Sequence, residues 1–190
     1  MVDPTIRGLR VKHLAIAVVL LAPAGLAAKA PDPAQAMVSA ADPRAAAAGV
    51  EMLRAGGSAM DAVAATVLAL TVVEPQSSGI GGGGLLVYQK AGGRMPATFD
   101  GREKAPMAAT EALFLDAAGK PLPRGMAIPG GKSVGVPGNV AMLKLAHAKY
   151  GRLPWATLFG PATRLARGGY DVTPRLASAI AGSATTLARQ

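Results

Sequence analysis

The chain contains no cysteine and only two histidines, His13 and His147, among 190 residues. Disulfides, thiolate-held zinc, iron–sulfur clusters and cysteine nucleophiles are therefore excluded, and a multi-histidine metal centre has almost nothing to build with. A Ser-His-Asp site would need one of those two histidines. Aromatic residues are also scarce: three Phe, three Tyr and one Trp. With basic residues dispersed along the chain, this leaves neither the stacking platforms nor the Lys/Arg stripe of a nucleic-acid groove. No carboxylate pair at short spacing suggests a glycosidase or a metal cage. What is abundant is backbone punctuation, with 24 Gly and 15 Pro making about a fifth of the chain, against roughly 12% on average.

The first thirty residues read as a leader. Arg7, Arg10 and Lys12 precede an uncharged apolar run from Leu14 to Ala22, and Ala28-Lys29-Ala30 fits a small-residue cleavage site. Pro23 and Gly25 interrupt the run well short of the ~20 residues of a membrane span. The expectation is a signal peptide over residues 1–30, with Ala34-Gln35-Ala36 as an alternative cut, and an exported protein, periplasmic or secreted. Removing residues 1–30 takes four of the 20 basic and one of the 11 acidic residues, leaving 16 and 10, so the mature net charge is +6. His13 leaves with the leader.

Along the mature chain, Asp42-Pro43 opens an Ala-rich helix over 41–55 that closes at Gly56-Gly57. Ser58 caps a second helix, Ala59 to Val73, apolar on nearly every side and so in need of burial on nearly every side. Asp61 and the shortness of this segment argue against a membrane span. A helix of this kind deprived of partners would be left exposed and prone to association. Glu74-Pro75 ends it. Leu85 to Lys90 reads as a strand, Gly92-Gly93 as a hairpin turn and Met95 to Phe99 as the partner strand. Pro121 to Gly138 reads as a long irregular loop. Asn139 to Tyr150 and Pro154 to Arg167 read as two further helices, closed by Gly151 and Gly168-Gly169, and Thr173-Pro174 starts a third.

Two glycine motifs resemble phosphate cradles without their context. Gly79-x-Gly81-x-x-Gly84 matches the dinucleotide fingerprint, but that motif follows a strand and opens a helix, whereas here it follows a helix and enters a strand. Close backbone approach, to a neighbouring element or to a substrate, is the simpler meaning. Gly130-Gly131-Lys132-Ser133 lacks the upstream glycine of a P-loop, because Met126 stands where it is needed. His147, alone in its helix, reads as a surface or capping residue.

Three stretches together resemble the γ-glutamyltransferase (γ-glutamyltranspeptidase) family of N-terminal-nucleophile hydrolases. They are Ala41 to Gly84, including Leu53-Arg54-Ala55-Gly56-Gly57-Ser58 and Glu74-Pro75-Gln76-Ser77-Ser78-Gly79; Asp100-Gly101-Arg102-Glu103-Lys104-Ala105-Pro106; and Gly135-Val136-Pro137-Gly138 with the helices up to Gly169. The resemblance implies an α+β fold, a helix-rich part of an αββα sandwich with a short β-hairpin. It further implies an exported enzyme that cleaves γ-glutamyl amides such as glutathione and passes the γ-glutamyl group to water or an amino acid, with no cofactor. In the family, a precursor cuts itself at a threonine, which becomes the amino-terminal nucleophile of a small subunit.

By the same resemblance Arg102 grips the α-carboxylate of the substrate, a task suited to a rigid guanidinium fork, and Glu103 orients Arg102 or a neighbour. No Thr-Thr-His motif occurs among these residues; Thr185-Thr186 is followed by Leu187 within a predicted helix. The expectation is thus that residues 31–190 are the amino-terminal part of a large subunit, inactive alone, whose partner is the small subunit of the same precursor. Two alternatives stay open: a cephalosporin- or glutaryl-acylase-like amidase, and a noncatalytic exported module that binds carboxylates through Arg102.

Overall fold

The structure is a computed structural model that describes residues 36–188. The expected leader, with His13, lies outside the described residues. Two adjacent helices come first, α1 (Pro43–Arg54) and α2 (Ala59–Val73). A two-stranded antiparallel hairpin follows, β1 (Leu85–Tyr88) and β2 (Ala97–Asp100), with Leu85 opposite Asp100 and Tyr88 opposite Ala97. A long connection carries the single turn α3 (Arg124–Ala127) and a 3-10 turn at Gly131–Ser133, and then come α4 (Asn139–Tyr150), α5 (Gly160–Gly168) and α6 (Pro174–Leu187).

The helix starts follow from local chemistry. The Asp42 side chain accepts from the Arg44 N–H with Pro43 at the first position, and Thr173 likewise caps Leu176 ahead of Pro174. The expected helix over Pro154 to Arg167 is instead two pieces, a 3-10 helix at Trp155–Phe159 and then α5. Pro161 accounts for the break: it has no N–H to donate and its ring crowds the carbonyl four residues earlier, so it fits only in the first turn of a new helix. The strands are also displaced by one or two residues from their expected ends, with Asp100 rather than Phe99 closing β2.

Helix α2 is the centre of the molecule. Met60, Ala64, Ala65 and Leu68 share a core with Met52 of α1, Phe99 of β2, Met142, Leu143 and Ala146 of α4, Leu158, and Ala162 of α5. Ala69 and Val73 pack on Ala45 and Ala48 of α1 in a second cluster. The burial that this helix needs on nearly every side is found within the chain, since Val63 is its one large apolar residue that is exposed and α1, α4 and α5 supply the cover. The α1–α2 approach is close enough to require Gly49, where a Cβ would collide with the Thr66 hydroxyl and come within 2.9 Å of Val38. The hairpin rests on the end of α4 through Tyr88, stacked on Tyr150 at 4.1 Å between ring centres, and through Phe99, edge-on to the same ring.

Both ends of α2 are tied down by buried carboxylates. At its C-terminus Glu74 receives Gln76 at 2.8 Å and pairs with Arg175 of α6 at 3.1 Å. At its N-terminus Asp61, fully buried, closes a capping box with Ser58, accepting its N–H at 2.6 Å and its hydroxyl at 2.7 Å. The same carboxylate accepts the backbone N–H groups of Arg152 at 2.9 Å and Leu153 at 3.3 Å, and lies 3.1 Å from His147 Nε2. Burial pushes the Asp61 carboxyl up, but the hydrogen bonds from Ser58, Arg152 and Leu153 outweigh it and hold the group below the usual carboxylate range.

A depressed pKa contributes stability that is present above the unfolded-state value and lost as pH falls through the folded-state value. Hydrogen-exchange protection of the Arg152 and Leu153 amides should therefore decline from roughly pH 4 downward. Asp61→Ala should remove that protection at neutral pH and cost about 3 kcal/mol, since it strands several buried donors. Unchanged protection in the variant would show that the carboxylate does not hold this junction.

Candidate functional site

The glycine run, the Asp100–Lys104 segment and the Gly135–Asn139 segment meet in space, and they meet as backbone. Gly84 and Gly101 exchange both hydrogen bonds, at 3.2 and 2.9 Å, extending the hairpin ladder one pair past Leu85 and Asp100. The carbonyl of Gly82 accepts the N–H groups of Gly138 at 3.3 Å and Asn139 at 3.1 Å, and the Asn139 side-chain amide donates to the Gly79 carbonyl at 3.0 Å. Lys104 and Val136 are bridged by a pair of backbone hydrogen bonds at 3.3 and 2.8 Å.

The glycines of this junction leave no room for side chains of their own. A Cβ on Gly138 would fall 2.8 Å from the Gly101 carbonyl carbon; one on Gly101 would fall 2.6 Å from Met142 Cβ; one on Gly83 would fall 2.5 Å from the Gly101 oxygen and from Glu103 Oε2. Of the two meanings the glycine run carried in the sequence, the structure supports approach to neighbouring elements. Its flanks are α2 before and β1 after, the reverse of a dinucleotide cradle. Gly130-Gly131-Lys132-Ser133 forms no phosphate loop either, because the Ser133 hydroxyl is turned onto the carbonyls of Ile128 and Gly130 within its own loop.

On the outer side of the junction is a cleft of about 250 Å³ lined by Asp100, Arg102, Lys104, Val136, Pro137, Ala141, Met142 and Leu145. Arg102 stands on its wall with its side chain 62% exposed, available to a solute. Its backbone is set by Asp100, whose Oδ1 accepts the Arg102 N–H at 2.9 Å. Glu103 turns the other way, toward Gly83, and its Oε2 lies 3.1 Å from Arg102 Nη1. That oxygen is sealed from solvent and has no well-aligned hydrogen-bond donor, so the Arg102 guanidinium is its compensating charge. The arrangement presents a guanidinium fork backed by one carboxylate at the rim of a mostly apolar cleft, suited to a planar anion.

His147 is not at this cleft. It sits at the far end of α4, its Nε2 3.0 Å from the Leu153 carbonyl oxygen and 3.1 Å from Asp61 Oδ1, so Nε2 carries a proton donated toward two acceptors. It is a largely covered pin rather than a surface residue. Thr185 and Thr186 lie in α6, as expected. Sequence reasoning missed Asn139, Lys104 and the structural part played by Asp61. For Asp61 a signal was present, since Ser58-x-x-Asp61 has capping-box spacing.

The sequence profile of the gamma-glutamyltranspeptidase family matches residues 45–190. The chain belongs to this family. Glutathione hydrolase 3 of Arabidopsis thaliana is 45% identical over 145 residues, 76% of this chain and 22% of that protein. The gamma-glutamyltranspeptidase of Helicobacter pylori is similar in structure, with a TM-score of 0.74 at 37% identity, covering 78% of this chain and 42% of that one. A cephalosporin acylase from Bacillus halodurans is similar too, with a TM-score of 0.63 at 37% identity over 76% of this chain and 26% of that one. The chain spans only 22% to 26% of the length of the first curated relatives it matches. As a gamma-glutamyltranspeptidase family member it has the expected α+β fold, a helix-rich part of an N-terminal-nucleophile hydrolase with a short hairpin. No described helix is long and apolar enough to cross a membrane.

The junction makes a direct prediction. Gly138→Ala should destabilise the fold by about 1–3 kcal/mol, because the added methyl meets backbone that cannot swing away. Gly125→Ala, where a Cβ meets nothing within 4 Å, should be close to neutral. Equal thermal or denaturant stability of the two variants would contradict the close approach.

Proposed function

We propose that this chain is the amino-terminal part of the large subunit of an exported γ-glutamyltransferase, which cleaves γ-glutamyl amides such as glutathione and transfers the γ-glutamyl group to water or to an amino acid. Residues 1–30 are its leader, the mature enzyme is periplasmic or secreted, and its partner is the small subunit cut from the same precursor. Acyl transfer in this reading belongs to an amino-terminal threonine outside these 190 residues. The part played by the present chain is recognition. Arg102 takes the substrate α-carboxylate in its fork, Glu103 holds the guanidinium by charge, and the glycine junction fixes the backbone that carries both.

The observation that carries this reading is the convergence of the three family-like stretches on one backbone junction, beside a cleft lined by the second and third of them with Arg102 exposed at its wall. A second reading, a glutaryl-amide acylase, draws support from the likeness to the Bacillus halodurans acylase. Comparing release of γ-glutamyl and glutaryl amides by the complete precursor separates the two, since the acyl groups share the distal carboxylate and only the γ-glutamyl group carries an α-amine.

In the complete enzyme Arg102→Ala should raise KM for γ-glutamyl donors about ten- to a hundredfold, the usual worth of a charge-assisted hydrogen bond, with kcat less affected. Arg102→Lys should recover little, because a point charge loses the fork. An unchanged KM in Arg102→Ala would sink the assignment.

A further inference from the structure

We propose that Lys104 makes the Arg102 cleft selective for γ-glutamyl donors that carry a second carboxylate on the leaving group, as a γ-glutamyl dipeptide does. This rests on the function proposed above, with Arg102 at the α-carboxylate.

Arg102 and Lys104 both line the cleft, whereas Glu103 between them faces the glycine run. The two carboxylates nearby are already engaged, Asp100 with the Arg102 N–H and Glu103 with the Arg102 guanidinium. Lys104, by contrast, has no carboxylate within ion-pair distance among the described residues. It is the uncompensated charge of the cleft. Its backbone is held to Val136 by two hydrogen bonds, so the ammonium is tethered at the rim although its stem is flexible.

The remaining wall is largely apolar, with Val136, Pro137, Ala141 and Leu145, and offers a second anion no other cationic side chain. Two peptide units separate the Arg102 and Lys104 Cα atoms by at most about 7 Å. The carboxylates of a γ-glutamyl dipeptide are separated by the two α-carbons, two side-chain methylenes and the γ-amide, a span that these two long side chains can bridge together. A donor with a neutral leaving group would use Arg102 alone.

The test compares kcat/KM of the complete enzyme for γ-glutamylglycine and for γ-glutamyl methylamide, which differ in that second carboxylate. Lys104→Met should lower the ratio, dipeptide over methylamide, about three- to fivefold, the worth of a partly exposed ion pair. Lys104→Arg should restore it, and raising ionic strength should shrink the wild-type preference. A ratio unchanged in Lys104→Met overturns the proposal, as does an equal loss for both donors, which would mark a structural role. If the wild-type enzyme cleaves neither donor, the proposed function itself falls and this inference with it. If it cleaves both and only the ratio is unmoved, the function stands and the role of Lys104 does not.

Discussion

The structure hangs on one buried carboxylate. Asp61 sits at the start of α2, yet its oxygens are shared between the cap of its own helix and the chain ninety residues later. A charge in that position is tolerable only because several donors converge on it, and each of those donors is committed in turn. The turn after α4 is thereby held to the first turn of α2, and with it the 3-10 helix that carries Leu158 and Trp155 into and beside the core. His147 closes the same knot from α4, and Gly151 leaves room for its ring.

Helix α4 is consequently clamped at both ends by different physics. At its C-terminal end the clamp is ionic and hydrogen-bonded. At its N-terminal end it is a backbone junction, in which the Gly82 carbonyl receives the first N–H groups of the helix and the Gly101 Cα lies against Met142. The cleft with Arg102 and Lys104 lies over this second end. For the role proposed for Arg102, rigidity there matters more than burial, because a guanidinium recognises a carboxylate by angle as well as by charge. The core under α2 supplies stability and the junction supplies aim.

Much of this was legible where the cause is local. Asp42-Pro43, Ser58 and Thr173-Pro174 announce helix starts because a cap acts within one turn, and those helices begin where expected. Family-like motifs led to Arg102, and glycine density to close backbone approach. What stayed hidden depends on partners distant in sequence. Asp61 read as a charge unfit for a membrane, since nothing near it announces Arg152 and Leu153 as donors. The cover over α2 was likewise invisible, because α4 and α5 give no local sign of which face they pack against. Pro161 is visible in the sequence, but a proline fits the first turn of a helix as well as breaking one, so it does not by itself say that the helix begins at Gly160 rather than near Pro154.

The glycine junction has a consequence for how this surface can change over generations. Most contacts in a protein can drift, a larger residue on one side being offset by a smaller one opposite. Here the partners of Gly83 and Gly138 are largely main-chain atoms, those of Gly101 in particular, and glycine has no smaller replacement. Compensation by a neighbouring substitution is therefore closed off. Change in this cleft is channelled instead to the side chains at its rim, where residues can be exchanged without touching the frame.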